Sequence, residues 1–166
     1  CECKTPQGVA AIAAIPAYLP IQTGFIVVLD DVQDPANVGA IIRTADAAGA
    51  SGVALSPACA DAFSPKAIRA SMGSAFHLPV FKTELSDYIQ SLAAEGHRIA
   101  CAHLDGTTEF KLDWQQTCLV IGNESRGISA PVMGLATDTV RIPMFGKAES
   151  LNAAVAAGIL IYKIRT

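Results

Sequence analysis

Several classes are excluded by what this chain lacks. Charged residues make up only 16% of it, against 51% hydrophobic ones. That balance rules out a charge-rich disordered segment and fits a compact α/β protein or an obligate dimer. There is no basic excess: the net charge is −3 and the pI about 5.5. Any nucleic acid must therefore be held by a local patch, a second subunit or a further segment, not by a global field. The five cysteines, Cys1, Cys3, Cys59, Cys101 and Cys118, are odd in number, form no C-x-x-C pair and have no clustered histidines beside them. This pattern argues against a disulfide framework or a zinc site and predicts reduced thiols, a cytoplasmic location and no metal. Neither a signal peptide nor an apolar run of about 20 residues is found, so no membrane association is expected. Repeats and low-complexity tracts are missing too, and 166 residues predict one domain. The chain opens on Cys1, not on methionine, which predicts a piece of something longer.

What is there is an alternation of two periodicities. Phe25–Leu29 (FIVVL) is a continuous apolar, β-branched run, as expected of a strand buried on both faces of a parallel sheet. Further strands are predicted at Val53–Leu55, near Leu78–Phe81, at Arg98–His103, at Cys118–Ile121 and at Thr139–Ile142. Between them, Val38, Ile41, Ile42, Ala45 and Ala48 recur at helical spacing after an Asp34-Pro35 start, with Arg43 on a different face. A second helix is predicted around Pro65–Ala70. A third carries Leu85, Ile89, Leu92 and Ala93 and closes at Gly96. The fold class is α/β, a mostly parallel sheet flanked by helices. Residues 1–23, rich in Pro and Ala, read as a linker or docking segment, and residues 24–166 as the domain.

The last stretch, Arg141–Ile164, reads as a short strand, a loop and a helix with scarcely a polar side. Ser150 is the expected N-cap, with Leu151 and Asn152 opening the helix. From Ala153 to Ile161 every residue is apolar or glycine. Such a helix must be covered all round, here by its own sheet and plausibly by a second copy of the chain.

Three polar clusters each follow a predicted strand directly, where ligands bind in open α/β sheets. They are Asp31–Ala45, Ile121–Ser129 and Ile142–Asn152, and together they hold Asn37, Arg43, Glu124, Arg126, Ser150 and Asn152. One such loop could be turn chemistry; three favour a shared site. Standard nucleotide motifs fit poorly. No G-x-G-x-x-G follows the first strand, and Gly122–Gly127 has phosphate-loop spacing but Ile128 where the lysine belongs. His77, His97 and His103 are scattered and complete no hydrolase grouping.

Taken together, the clusters resemble motifs one to three of the SpoU (TrmH-type) RNA ribose 2'-O-methyltransferases of the SPOUT superfamily. The match lies in Asn37-Val-Gly39 with Arg43-Thr-Ala, Gly122-Asn-Glu124 with Gly127, and Ile142-Pro-Met144 with Ser150-Leu-Asn152, and it extends from about Phe25 to the C-terminus. The resemblance implies a C-terminal deep trefoil knot, S-adenosylmethionine as cofactor, a homodimer, and methylation of RNA, more readily ribosomal than transfer RNA. It implies catalytic roles for Asn37, Arg43, Glu124, Ser150 and Asn152, with Glu124 pairing with Arg43, and a cofactor site formed by Ala102, Gly122, Ile142, Met144 and Leu151. Pro6–Ala10 further resembles the junction after an N-terminal RNA-binding domain in part of the family. One departure is Ala154, where the family usually has serine. The alternative is a catalytically inactive knotted module that binds S-adenosylmethionine or RNA.

Overall fold

The structure is a computed structural model that describes Gly8 and residues 12–166. Cys1, Cys3 and most of the Pro6–Ala10 segment lie outside the described residues. Six strands form a single sheet: β1 (Ile26–Asp30), β2 (Gly52–Leu55), β3 (Val80–Lys82), β4 (Arg98–Thr107), β5 (Thr117–Gly122) and β6 (Asp138–Val140). Their order is β3-β2-β1-β5-β4-β6, and all five pairings are parallel. The β1 run is buried residue by residue because both faces are covered. Val27 and Leu29 face one core with Ile41, Ile42, Leu160 and Ile161 of two helices, α1 (Pro35–Ala48) and α5 (Ala153–Arg165). Ile26 and Val28 face the other, formed with Leu85, Ile89 and Leu92 of α3 (Leu85–Ala94) and Val132 of α4 (Ala130–Met133). Each fully buried Ile or Leu stabilises the fold by roughly 1.5–3 kcal/mol.

Helix starts follow the local chemistry. Asp34 caps α1, its carboxylate accepting from the Ala36 amide at 3.0 Å, with Pro35 in the first turn where no amide is needed. The hydrogen bond from Lys66 and the one from Ala36 together hold the Asp34 carboxyl below the usual range. α2 (Pro65–Ser71) repeats the device with Ser64. The third helix ends as expected, with Gly96 in the left-handed region just beyond it.

Three expectations need correction. The strand predicted over Thr139–Ile142 stops at Val140, and Pro143, lacking an amide, cannot extend the ladder. The fourth strand does not stop at His103 but runs on to Thr107, because its far end pairs again with β6 after a register shift between Ala102 and Thr107. Ala102 thus lies within that strand and not after it. The cap of α5 is not Ser150 but Asn152, whose Oδ1 accepts from the Ala154 amide at 2.9 Å and the Val155 amide at 3.3 Å. Leu151 and Asn152 precede the helix instead of opening it.

Within the single chain α5 is covered on one side by the sheet and α1, which leaves open the side expected to meet a second copy. Ala157, Leu160 and Ile161 are buried, while Val155, Ile159 and Tyr162, spaced four and three apart, form an exposed stripe. Its far end is tied down by Lys163, which donates to the Thr108 carbonyl and lies over the Phe110 ring at 4.4 Å, and by Arg165 over Trp114 at 4.9 Å. Trp114 in turn stacks on Phe25 at 4.0 Å. Among the described residues, no helix is long and apolar enough to cross a membrane.

Candidate functional site

The C-terminal ends of β1, β5 and β6 bring the three clusters to one side of the sheet. β1 and β5 are neighbours, so the turns that follow them are in contact. Asn123 donates to the Asp31 carbonyl at 2.8 Å, the Ser129 amide donates to the Asp30 carboxylate at 2.7 Å, and Arg126 pairs with Asp31. Arg126 is therefore committed to Asp31 and forms no pair with Glu124. The turn itself closes tightly. Asn123 Oδ1 accepts from the amides of Ser125 and Arg126 at 3.0 Å each, and Gly127 takes a left-handed φ of 69°. Gly122 has no room for a side chain, since a Cβ there would lie 2.4 Å from the backbone of Gly127 and Ile128.

Between this turn, the end of β4 and the loop before α5 lies a cavity of about 360 Å³. That is within the range of roughly 300–1,000 Å³ typical of small-molecule sites. All five residues expected to meet a cofactor line it: Ala102, Gly122, Ile142, Met144 and Leu151. Apolar walls dominate. Glu124 and Glu149 contribute carboxylates, and Ser150 a hydroxyl.

A polar relay runs along the edge of this cavity. Asn37 is 92% buried, and its Nδ2 donates to Glu124 Oε1 at 2.7 Å. Asn37 Oδ1 accepts from Asn152 Nδ2 at 3.0 Å, and Asn152 caps α5 with its own Oδ1. One residue from each of the three clusters is thus joined in a line. The carboxylate of Glu124 retains a second oxygen with no hydrogen-bond partner among the described residues. Nine positions of the ten expected are accordingly in the cavity wall or in the relay that adjoins it.

Arg43 is the exception. It does not line the cavity, is exposed on α1, and makes no hydrogen bond or ion pair with any described residue. The Glu124–Arg43 pairing is not present in the single chain, where the recorded partner of that carboxylate is Asn37. Several lining residues were not among the ten expected, Glu149 in the loop before α5 and, on the β4–β6 side, His103, Leu104 and Arg141, the last donating to the Leu104 carbonyl at 3.3 Å. The last three are brought in by the β4–β6 pairing across 33 or more residues, for which no local signal exists. No group of His, Cys, Asp and Glu suited to a metal occurs among the described residues.

Residues 24–162 match the model of the SpoU rRNA Methylase family. The 23S rRNA (guanosine(2553)-2'-O)-methyltransferase RlmP of Bacillus subtilis is 39% identical, over 99% of this chain and 67% of its own length. The 23S rRNA (uridine(2479)-2'-O)-methyltransferase of Streptomyces viridochromogenes is 39% identical over 96% of this chain and 60% of its own. Among solved structures, the SpoU methyltransferase AviRb from Streptomyces viridochromogenes in complex with the cofactor AdoMet superposes with a TM-score of 0.78 at 36% identity, covering 88% of this chain and 61% of that one. This chain therefore spans 60–67% of the length of these relatives.

Proposed function

The chain belongs to the SpoU rRNA methylase family, and from that membership and its site we propose that it is the catalytic domain of an S-adenosylmethionine-dependent RNA ribose 2'-O-methyltransferase acting on ribosomal RNA. The observation that carries this reading is the convergence of three sequence-distant clusters on one cavity, with Glu124, Asn37 and Asn152 hydrogen-bonded in line beside it.

The wall chemistry fits the cofactor. Ile142, Met144 and Leu151 offer an apolar slot for a purine, and the backbone at Gly122 is free of a side chain. Glu124 and Glu149 suit the positive end of the molecule. When bound, S-adenosylmethionine supplies an electrophilic methyl group. The chain's own residues must then hold the ribose in line, assist loss of its hydroxyl proton and keep water out. Asn37 and Asn152 fix the Glu124 carboxylate, whose free oxygen can take that proton. Arg43 is unsuited to be the base, because a guanidinium is a hydrogen-bond donor with no acceptor site for a proton. Its guanidinium instead stabilises the developing alkoxide and grips the adjacent phosphate.

Because Arg43 stands outside the cavity of its own chain, this role needs a second copy. We read the working unit as a homodimer built on the exposed Val155–Ile159–Tyr162 stripe of α5 and the adjoining face of α1, which contains Ala40, Arg43 and Ala47. Small residues on one helix and an apolar stripe on the next allow close approach of two chains. The tail is read as knotted. The tight passage of Thr139 and Val140 against Gly106, where a Cβ would lie 2.7–2.8 Å from their backbone, and the reach of Lys163 to Thr108 support that threading. Ala154 leaves the helix start to Asn152 alone, in place of a serine hydroxyl.

The experiment is transfer of labelled methyl from S-adenosylmethionine to a 23S rRNA transcript, with the product ribose identified after nuclease digestion. Arg43→Ala is expected to lower transfer at least 100-fold while leaving cofactor affinity within about threefold, since removing one group aimed at the developing charge costs about that much. Cofactor binding without any transfer by the unaltered full-length protein would favour the inactive binding module instead.

A further inference from the structure

A second strip of chain runs alongside α1. At its start Lys66 donates to Asp34 at 2.7 Å. At its middle the backbone of α2 presses on Gly39, where a Cβ would lie 2.3 Å from the Ala67 carbonyl oxygen. At its end His77 Nδ1 stands 3.9 Å from the Asp46 carboxylate. Arg43, between Gly39 and Asp46, is therefore level with the turn at Met72 and Gly73. Arg69 lies one turn beyond Lys66 on the same side of α2 and is exposed.

This turn presents apolar side chains outward without a packing reason. Ser74 and Ala75 are the buried residues of the segment. Met72 instead adopts a left-handed φ of 51°, unfavourable for a residue with a side chain, and that side chain is 70% exposed. Phe76 is 41% exposed, one edge resting on Phe63 at 6.2 Å between centroids. An outward phenyl ring and thioether thus share this strip with two exposed guanidinium groups and an imidazole, while its carboxylates, Asp34 and Asp46, face Lys66 and His77.

We propose that Phe76, flanked by Met72, is a stacking platform for a base of single-stranded RNA next to the target nucleotide, with Arg43 and Arg69 on its phosphates. The inference rests on the RNA reading above and deepens it. Charge decides the class of occupant. An apolar protein surface laid over Met72 and Phe76 would strip water from the Arg69 guanidinium and leave it unpaired. RNA offers a flat π face to the ring and phosphates to both cations. The patch is local, as it must be in a chain of net charge −3.

The test uses the full-length protein and a 23S rRNA transcript. Phe76→Ala should weaken RNA binding and raise the RNA KM about tenfold, the size of one lost stacking contact. The kcat at saturating RNA, cofactor affinity and sedimentation should be unchanged. Phe76→Trp should restore affinity, and its added emission, over that of the unaltered protein, should be quenched by RNA. Unchanged RNA affinity in the alanine variant would overturn the platform, as would a lack of quenching in the tryptophan variant or a shift of the alanine variant to monomer. If the unaltered protein binds the transcript but transfers no methyl, the catalytic reading fails while the platform stands or falls on the binding arm.

Discussion

Asn37 is the residue on which the site turns. It lies three places inside α1, too deep to cap it, and its amide has both ends occupied, donating to Glu124 and accepting from Asn152. Asn37→Ala removes both bonds and leaves the Asn152 amide without its acceptor, a loss of about 1–3 kcal/mol. Transfer should fall at least tenfold, with a lower midpoint in thermal melting. Asn37→Asp should be worse than alanine at neutral pH despite its shape, because a carboxylate would face Glu124 at 2.7 Å. Parallel melts and transfer assays of the two variants check the order; a more active aspartate variant would show that the relay does not run through this amide. The sequence offered Asn37, Glu124 and Asn152 as candidates because three polar clusters after buried strands favour a shared site over turn chemistry, and the structure joins the three in one hydrogen-bonded line. It did not disclose which of Ser150 and Asn152 caps the last helix. Both are good caps, and the choice is made by a hydrogen bond to a residue 115 positions away.

Among the elements, α5 carries the clearest consequence. Read as a string, its run of apolar residues looks uniform; folded, it has a buried face at Ala157, Leu160 and Ile161 and an uncovered one at Val155, Ile159 and Tyr162. Ile159→Lys places a charge on the uncovered face alone and should leave circular dichroism unchanged. In sedimentation it should shift the protein to monomer, and transfer should be lost with the second chain. A monomeric yet fully active variant would put Arg43 out of the reaction. The strands were legible in order and nearly in extent because β-branched runs buried on both sides have no rival reading. The four-residue α4 and the extension of β4 were not. The first is too short to show a period, and the second depends on β6, a partner 33 or more residues away that no local preference announces.

For the molecule as a whole, the order of the sheet places β6 at one edge, beside β4, where Arg98 clasps Asp138 through two hydrogen bonds, Nε to Oδ2 at 2.8 Å among them. Burial pushes the Asp138 carboxyl up, but the bonds from Arg98 and Thr137 outweigh it and hold the group below its usual value of 3.8. A depressed carboxyl contributes stability that is present above pH 3.8 and lost as pH falls through the folded value. Acid titration followed by circular dichroism should therefore show Asp138→Asn less stable than the unaltered protein near neutrality. The gap should close below pH 3.8, and a gap constant to pH 2 would remove this ion pair from the acid limb.

Because Asn152 both starts the final helix and ties it to Asn37, the floor of the cavity is made well before the wall that closes it. A growing polypeptide that has emerged only as far as β5 presents a sheet but no closed pocket. Ligand capture thus becomes a report that the tail has docked, and a partly folded population should appear as fewer competent molecules, each at full strength, and not as many weakened ones.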